Sequence, residues 1–204
     1  MVFVEKRNVA FNSLLGTASI NVPVYSNGDD SFFSGKSNFL YGVYTGVKWQ
    51  CVEYARRWLF IRKGCTFADV YSANDMWYKL SYVEQVVDGK RFPLKTYPNG
   101  SPTKPKTESL IIYERNSKLP FGHVAVIVDV VPGYIRVAEQ NYYYYYWSNS
   151  YARQIPLAYK NGRYYIEDHD RIYGWMEVQD NNHQLKPLDA ATIKIIAARN
   201  GVSV

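Results

Sequence analysis

The sequence predicts an α+β domain in which a helix packs against an antiparallel sheet, and three observations predict it. Between Gln50 and Arg62 the apolar side chains Cys51, Ala55, Trp58 and Leu59 recur at helical spacing on one face. From Ser109 onward the apolar period changes to two in segment after segment. Helical patterns first and a run of strands second make the layered α+β arrangement.

Taken in order, residues 17–47 are rich in Gly, Ser, Asn and Asp and read as loop, with one short strand at "NVPVYS". The helix over 50–62 follows, with Glu53, Arg56 and Arg57 largely off its apolar face and Gly64 as its stop. A second helix is expected within "SANDMWYKLSYVEQVVDG", capped by Ser72 or Asn74 and closed by Gly89. "YPNGSPTKPKT" is a loop. Strands are expected at "SLIIYER", "GHVAVIVDVV", "YIRVAEQNYYYYYW", "ARQIPLAY", "RYYIED" and "RIYGWMEV". The tail "DAATIKIIAARNGVSV" reads as one more short helix or a strand. We take residues 1–204 as one domain, with a core over about 11–180 and a less defined tail over 185–204.

Composition narrows the function classes. The 204 residues are 47% hydrophobic and 21% charged, and no stretch approaches the ~20 consecutive apolar residues of a membrane helix. Glu5, Lys6 and Arg7 interrupt the place where a secretion signal needs its apolar run. Two cysteines, Cys51 and Cys65, make no disulfide framework, and together these features suggest a reduced, cytosolic setting without a membrane partner. No metal-ligand spacing stands out, and three scattered histidines supply none. The net charge of +6 favours anionic partners, but the basic residues are dispersed, so no nucleic-acid partner is expected.

"KWQCVEYARRW" then poses the functional question, because it sets Cys51 at the start of a helix. A free cysteine is among the most buried residue types, so a small core residue is the competing reading. A nucleophilic cysteine needs a base to keep it thiolate and a third group to orient that base. The helix N-terminus itself favours thiolate. His123, opening the most apolar strand after Gly122, is the candidate base. Glu139, inside the apolar "IRVAEQN", needs a partner of its own, because a buried carboxylate is costly alone.

Hairpin parity tests whether the two meet. A two-residue loop, Pro132-Gly133, pairs Val131 with Tyr134, an odd sum that sends Glu139 to the face opposite His123. A three-residue loop pairs Val130 with Tyr134, an even sum that gathers His123, Glu139 and Asn141. Proline early and glycine last suit the three-residue loop, which is therefore the expected one.

The motifs "KWQCVEYARRWLF", "FGHVAVIV" and "IRVAEQN", in that order, resemble the cysteine, histidine-dependent amidohydrolase/peptidase (CHAP) family. Within it the chain is most similar to the amidase domain of glutathionylspermidine synthetase/amidase and of trypanothione-forming enzymes. It shares with them "FNSLLGTASINVPVYSN", "FPLKTYPNGSP" and "GWM" as well. The resemblance implies a papain-like fold, with Cys51 as nucleophile, His123 as general base and then acid, and Glu139 orienting His123. It also implies oxyanion stabilisation by Gln50 and the Cys51 backbone N–H, with Asn141 and Arg56 as further site or substrate contacts. The implied reaction is hydrolysis of a small-molecule glutathione–polyamine amide to glutathione and spermidine through a Cys51 thioester, with no metal, nucleotide or other cofactor. The relatives' ATP-dependent ligase half is not expected in these residues, so hydrolysis and not synthesis is implied.

Two other readings stand beside this one: a peptidoglycan amidase or endopeptidase of the same superfamily, and a non-catalytic domain that only binds. The "NYYYYYWSNS" run is either an aromatic strand end and loop or an aromatic wall of the cleft. Cys65 is expected to be structural, and His169 and His183 to lie at the surface.

Overall fold

A computed structural model describes residues 8–19 and 21–204; the reading at Glu5, Lys6 and Arg7 lies outside them. Two small hairpins come first. One joins β1 (Leu14–Thr17) to β2 (Pro23–Tyr25), the other β3 (Ser37–Leu40) to β4 (Val43–Val47). Helix α1 (Cys51–Lys63) follows and ends at Gly64, whose left-handed backbone (φ 62°) donates back to Leu59 and Phe60. Then come β5 (Cys65–Thr66), α2 (Ala73–Lys79), β6 (Tyr82–Gln85), β7 (Arg91–Pro98) and β8 (Leu110–Tyr113). The chain continues through β9 (His123–Val131), β10 (Tyr134–Ala138), β11 (Arg153–Lys160), β12 (Arg163–Ile166), β13 (Ile172–Val178) and α3 (Ala190–Arg199). No helix among the described residues is long and apolar enough to cross a membrane.

Nine strands form one antiparallel sheet in the order β12-β11-β10-β9-β8-β13-β7-β6-β5, and α1 packs on it. The α+β expectation is met. The central strands are buried on both faces. Val124, Val126 and Val128 of β9 join a core with Tyr54, Trp58 and Leu59 of α1. Ala125 and Ile127 join a second core with Ile111, Ile155, Ile166 and Trp175. That double burial explains why "VAVIV" is apolar at every position rather than at alternate ones.

Several boundaries differ from the sequence reading. The stretch 17–47 is not all loop, because β3 and β4 occupy its end. Their polar Asn38 and Thr45 face inward to bond the Glu53 carboxylate, at 2.9 Å each, which hides the apolar alternation of a strand. Glu53, Arg56 and Arg57 are buried, not off the packed face. Arg57 bonds Glu53 at 2.8 Å one turn away, and Gln140 bonds its other oxygen at 2.9 Å, so the buried charges are fully paired. The second helix is cut to Ala73–Lys79, capped by the Ser72 hydroxyl as expected. "YVEQ" beyond it becomes β6 because it pairs with both β5 and β7, a tertiary choice that outweighs local propensity. β7, unassigned from the sequence, takes in Tyr97 and Pro98 from the expected loop. β10 stops at Ala138, so the tyrosine run is not strand. The tail resolves as helix, with Asp189 accepting from the Thr192 N–H at 2.7 Å.

Candidate functional site

Cys51 is the first residue of α1. Gln50 before it is extended (φ −80°, ψ 159°), so the chain turns abruptly into the helix, and the first helical N–H groups lack intrahelical acceptors. The thiol is almost fully buried and shares a hydrogen bond with the His123 imidazole. Burial pushes the Cys51 thiol up, but the His123 hydrogen bond and charge and the N–H groups of Val124 and Val52 outweigh it. The thiol is held below its ordinary value.

His123 starts β9 directly after Gly122, whose backbone is left-handed (φ 67°). A Cβ there would stand 2.7 Å from the Tyr113 carbonyl oxygen, so only glycine lets the strand begin so close to β8. Burial alone would lower the His123 pKa, but hydrogen bonds and charges of Cys51 and Glu139 raise it to about 9. Ring atom Nε2 lies 3.0 Å from Glu139 Oε2, which leaves Nδ1 for the sulfur.

The register behind that contact corrects one expectation and explains another. Tyr134 pairs with Val131, so the turn is the two-residue Pro132-Gly133 loop with an odd sum, not the three-residue loop. Proline followed by glycine at φ 76° suits a type II turn, which needs no third residue. A bulge then intervenes: Arg136 pairs with Asp129, but Val137 pairs with Ile127 and Ala138 with Val126. Val128 is the extra residue. Beyond it the sum is even, and Glu139 arrives on the His123 side after all.

Glu139 is buried and anchored from behind by Arg153, which the sequence reading missed. Arg153 Nε donates to Glu139 Oε1 at 2.5 Å, and its Nη1 donates to Asp168 Oδ2 at 2.6 Å. Its Nη2 donates to the Tyr113 hydroxyl at 2.9 Å, and its plane lies 4.3 Å from the Tyr142 ring. Burial would raise the Glu139 pKa, but the Arg153 charge and the His123 contact hold it below the usual carboxylate range. The one available signal was a lone arginine opening the strand after the glutamate.

The other expected residues lie as follows. Asn141 Nδ2 donates to Gln50 Oε1 at 2.8 Å, so the loop after β10 touches the helix start. Arg56 is buried and donates to the carbonyls of Phe67, Thr45 and Ala68 and to Asp69 Oδ1 at 2.9 Å, tying the loop after β5 to β4. Cys65 is buried at the far end of α1, and burial pushes its thiol up to about 12.

Cys51 and His123 sit in the wall of a cleft of about 720 Å³, which Gln50, Arg56 and Asn141 also line. Its rim is aromatic, with Phe32, Phe33, Tyr71 and Phe121 exposed, and it carries Asp30, Asp69 and Lys118. The tyrosine run divides. Tyr144 lines the cleft, and its hydroxyl meets Asp30 at 2.7 Å. Tyr142 packs behind the imidazole at 4.8 Å and bonds Asp170. Chemically, a thiolate beside an imidazolium can attack a carbonyl carbon, and the ring can hand its proton to a leaving amine.

Residues 42–141 match the CHAP domain family. The chain is 37% identical over 166 residues to trypanothione synthetase of Crithidia fasciculata, covering 81% of this chain and 25% of that protein. It is 32% identical over 212 residues to the bifunctional glutathionylspermidine synthetase/amidase of Escherichia coli (strain K12), covering 95% and 34%. To glutathionylspermidine synthase of Crithidia fasciculata it is 30% identical over 192 residues, covering 84% and 27%. The chain thus spans about a quarter to a third of the length of the curated relatives it matches.

Proposed function

We propose that this chain, whose residues 42–141 match the CHAP domain family, is a C–N hydrolase acting on amides and that its substrate is glutathionylspermidine or a related glutathione–polyamine conjugate. The single observation that carries the reading is the hydrogen-bonded series Cys51–His123–Glu139 opening on a cleft of about 720 Å³, in the range of small-molecule sites. Cys51 is the nucleophile, His123 the acid and base, Glu139 the group that orients the ring, and Gln50 with the Cys51 N–H the oxyanion donors.

The cycle follows from these roles. The Cys51 thiolate adds to the carbonyl carbon that joins the glycine of glutathione to the polyamine nitrogen. Charge moves to the carbonyl oxygen, where a fixed side-chain donor is worth about 2.7–4 kcal/mol. The C–N bond breaks as the His123 imidazolium protonates the departing amine, leaving a thioester on Cys51. Water then gives a proton to His123 and attacks the thioester, and the tetrahedral adduct expels the thiolate with glutathione as free acid.

The walls suit a conjugate with a cationic arm. The protein as a whole carries +6, and in the cleft Asp69 is paired with Arg56 and Lys118 stands on the rim, so a cationic arm would meet Asp30 and the exposed aromatic faces, which attract ammonium groups by about 0.5–2 kcal/mol each. The test is direct: incubate the chain with glutathionylspermidine, follow spermidine release, and trap the acyl-enzyme for mass spectrometry. Spermidine release with a glutathionyl adduct at Cys51, both lost in Cys51→Ala, is the expected result. Undiminished release by Cys51→Ala overturns the proposal.

A further inference from the structure

Five side chains beside the start of α1 form a chain of hydrogen bonds with one consistent direction. Asn27 is buried in the loop after β2, and its Nδ2 donates to the Phe32 carbonyl at 2.7 Å and the Asp29 carbonyl at 3.3 Å. Its Oδ1 faces the Trp49 N–H at 3.4 Å and Gln50 Nε2 at 3.3 Å. Gln50 Oε1 then accepts from Asn141 Nδ2, and Asn141 Oδ1 lies 3.0 Å from the Tyr144 hydroxyl, which also meets Asp30.

A carboxamide can turn over by half a rotation, exchanging its oxygen for its nitrogen, so something must choose. At the Asn27 end of this chain the polarity is fixed by backbone groups acting directly on a carboxamide. Turning Asn27 over would set its oxygen against two carbonyl oxygens and its NH₂ against a backbone N–H. Backbone groups cannot exchange roles, so Asn27 is locked. Its Oδ1 therefore draws Gln50 Nε2, which turns Gln50 Oε1 to Asn141. At the other end the Asp30 carboxylate also only accepts, but its demand stops at the Tyr144 hydroxyl, whose one proton can serve Asp30 or Asn141 Oδ1 and not both.

We propose that Asn27 is a positioning residue that holds the Gln50 carboxamide with its NH₂ group on the oxyanion side of the cleft. The inference rests on the reading of Cys51 as an acylated nucleophile. One Nε2–H of Gln50 goes to Asn27 and the second is left for the oxygen of the tetrahedral adduct. With the amide reversed, an acceptor oxygen would face that developing charge.

The experiment separates acylation, which needs the oxyanion donors, from alkylation, which needs only the thiolate. p-Nitrophenyl acetate acylates Cys51 through a tetrahedral adduct without calling on substrate recognition, and iodoacetamide alkylates it by displacement at a saturated carbon. Asn27→Ala is expected to slow acylation at least tenfold and to leave the alkylation rate at pH 7 within twofold. In a Gln50→Ala background the same change should cost less than twofold, because Asn27 acts through Gln50. Asn141→Asp, which leaves the buried Asn27 untouched, supplies an independent arm. Its carboxylate draws Gln50 Nε2 the wrong way and should also slow acylation at least tenfold. The relay is overturned by acylation within twofold of the parent in Asn27→Ala. It is equally overturned by alkylation falling as far as acylation, or by an equal loss in both backgrounds. Should Asn27→Ala not fold, Asn141→Asp decides, and parent-like acylation there rejects the relay. A parent chain that the ester cannot acylate sinks this inference and the nucleophile together, whereas one acylated by the ester but inert to glutathionylspermidine sinks only the substrate.

Discussion

At the scale of residues, reactivity depends on a proton shared between a sulfur and a ring. The Cys51 thiol is held low and the His123 pKa raised, so the thiolate–imidazolium pair persists between the two values. Raising the pH through about 9 removes the imidazolium proton, and lowering it through the depressed thiol value removes the thiolate. Hydrolysis is therefore expected to hold a plateau through neutral pH and to fall above about 9, which a pH profile of kcat/KM checks. Glu139→Gln keeps a hydrogen-bond partner at the ring but removes the charge that favours imidazolium. The upper limb should then move to lower pH by about one unit or more, with activity down at least tenfold. An upper limb that stays in place would assign the raised His123 value to Cys51 alone. Glu139 was legible in the sequence as an acid in need of a partner; Arg153, 14 positions later and bonded to it at 2.5 Å, was not.

At the scale of elements, one extra residue decides whether the site exists. Val128 is the bulge that converts the odd register of the Pro132-Gly133 turn into the even register at Glu139. Deleting Val128 should carry the turn's register through to the strand end and send Glu139 to the opposite face. The expected outcome is a folded chain by circular dichroism with kcat reduced at least a hundredfold, on the scale of losing acid–base assistance. Retained activity would show that the loop after β10 finds His123 without the register. Helix α1 was read correctly in extent because its period and its Gly64 stop are local. Its buried Glu53 and Arg57 were misplaced because their partners Asn38, Thr45 and Gln140 come from strands and loops that no helical pattern reveals.

At the scale of the whole molecule, the sheet holds two cores, and both should matter to stability. Ile111 lies in the core away from α1, and Leu59 in the core beneath it; both are fully buried. Ile111→Ala and Leu59→Ala are each expected to cost about 2–5 kcal/mol in urea unfolding, the range for large-to-small changes in packed interiors. A cost under about 1 kcal/mol for Ile111→Ala would mean the second core is not a packed one. What the sequence by itself determined were features set by near neighbours in the chain: the α+β class, the helix that begins at Cys51, the strand that begins at His123, and the place, though not the length, of the turn between β9 and β10. Tertiary structure alone decided the bulge at Val128, the anchoring of Glu139 by Arg153, the paired charges under α1 and the polarity that Asn27 imposes on Gln50. Those depend on hydrogen bonds between residues far apart in the chain, such as Asn27 and Gln50 or Gln140 and Glu53, whose directions are chosen only when the elements have docked.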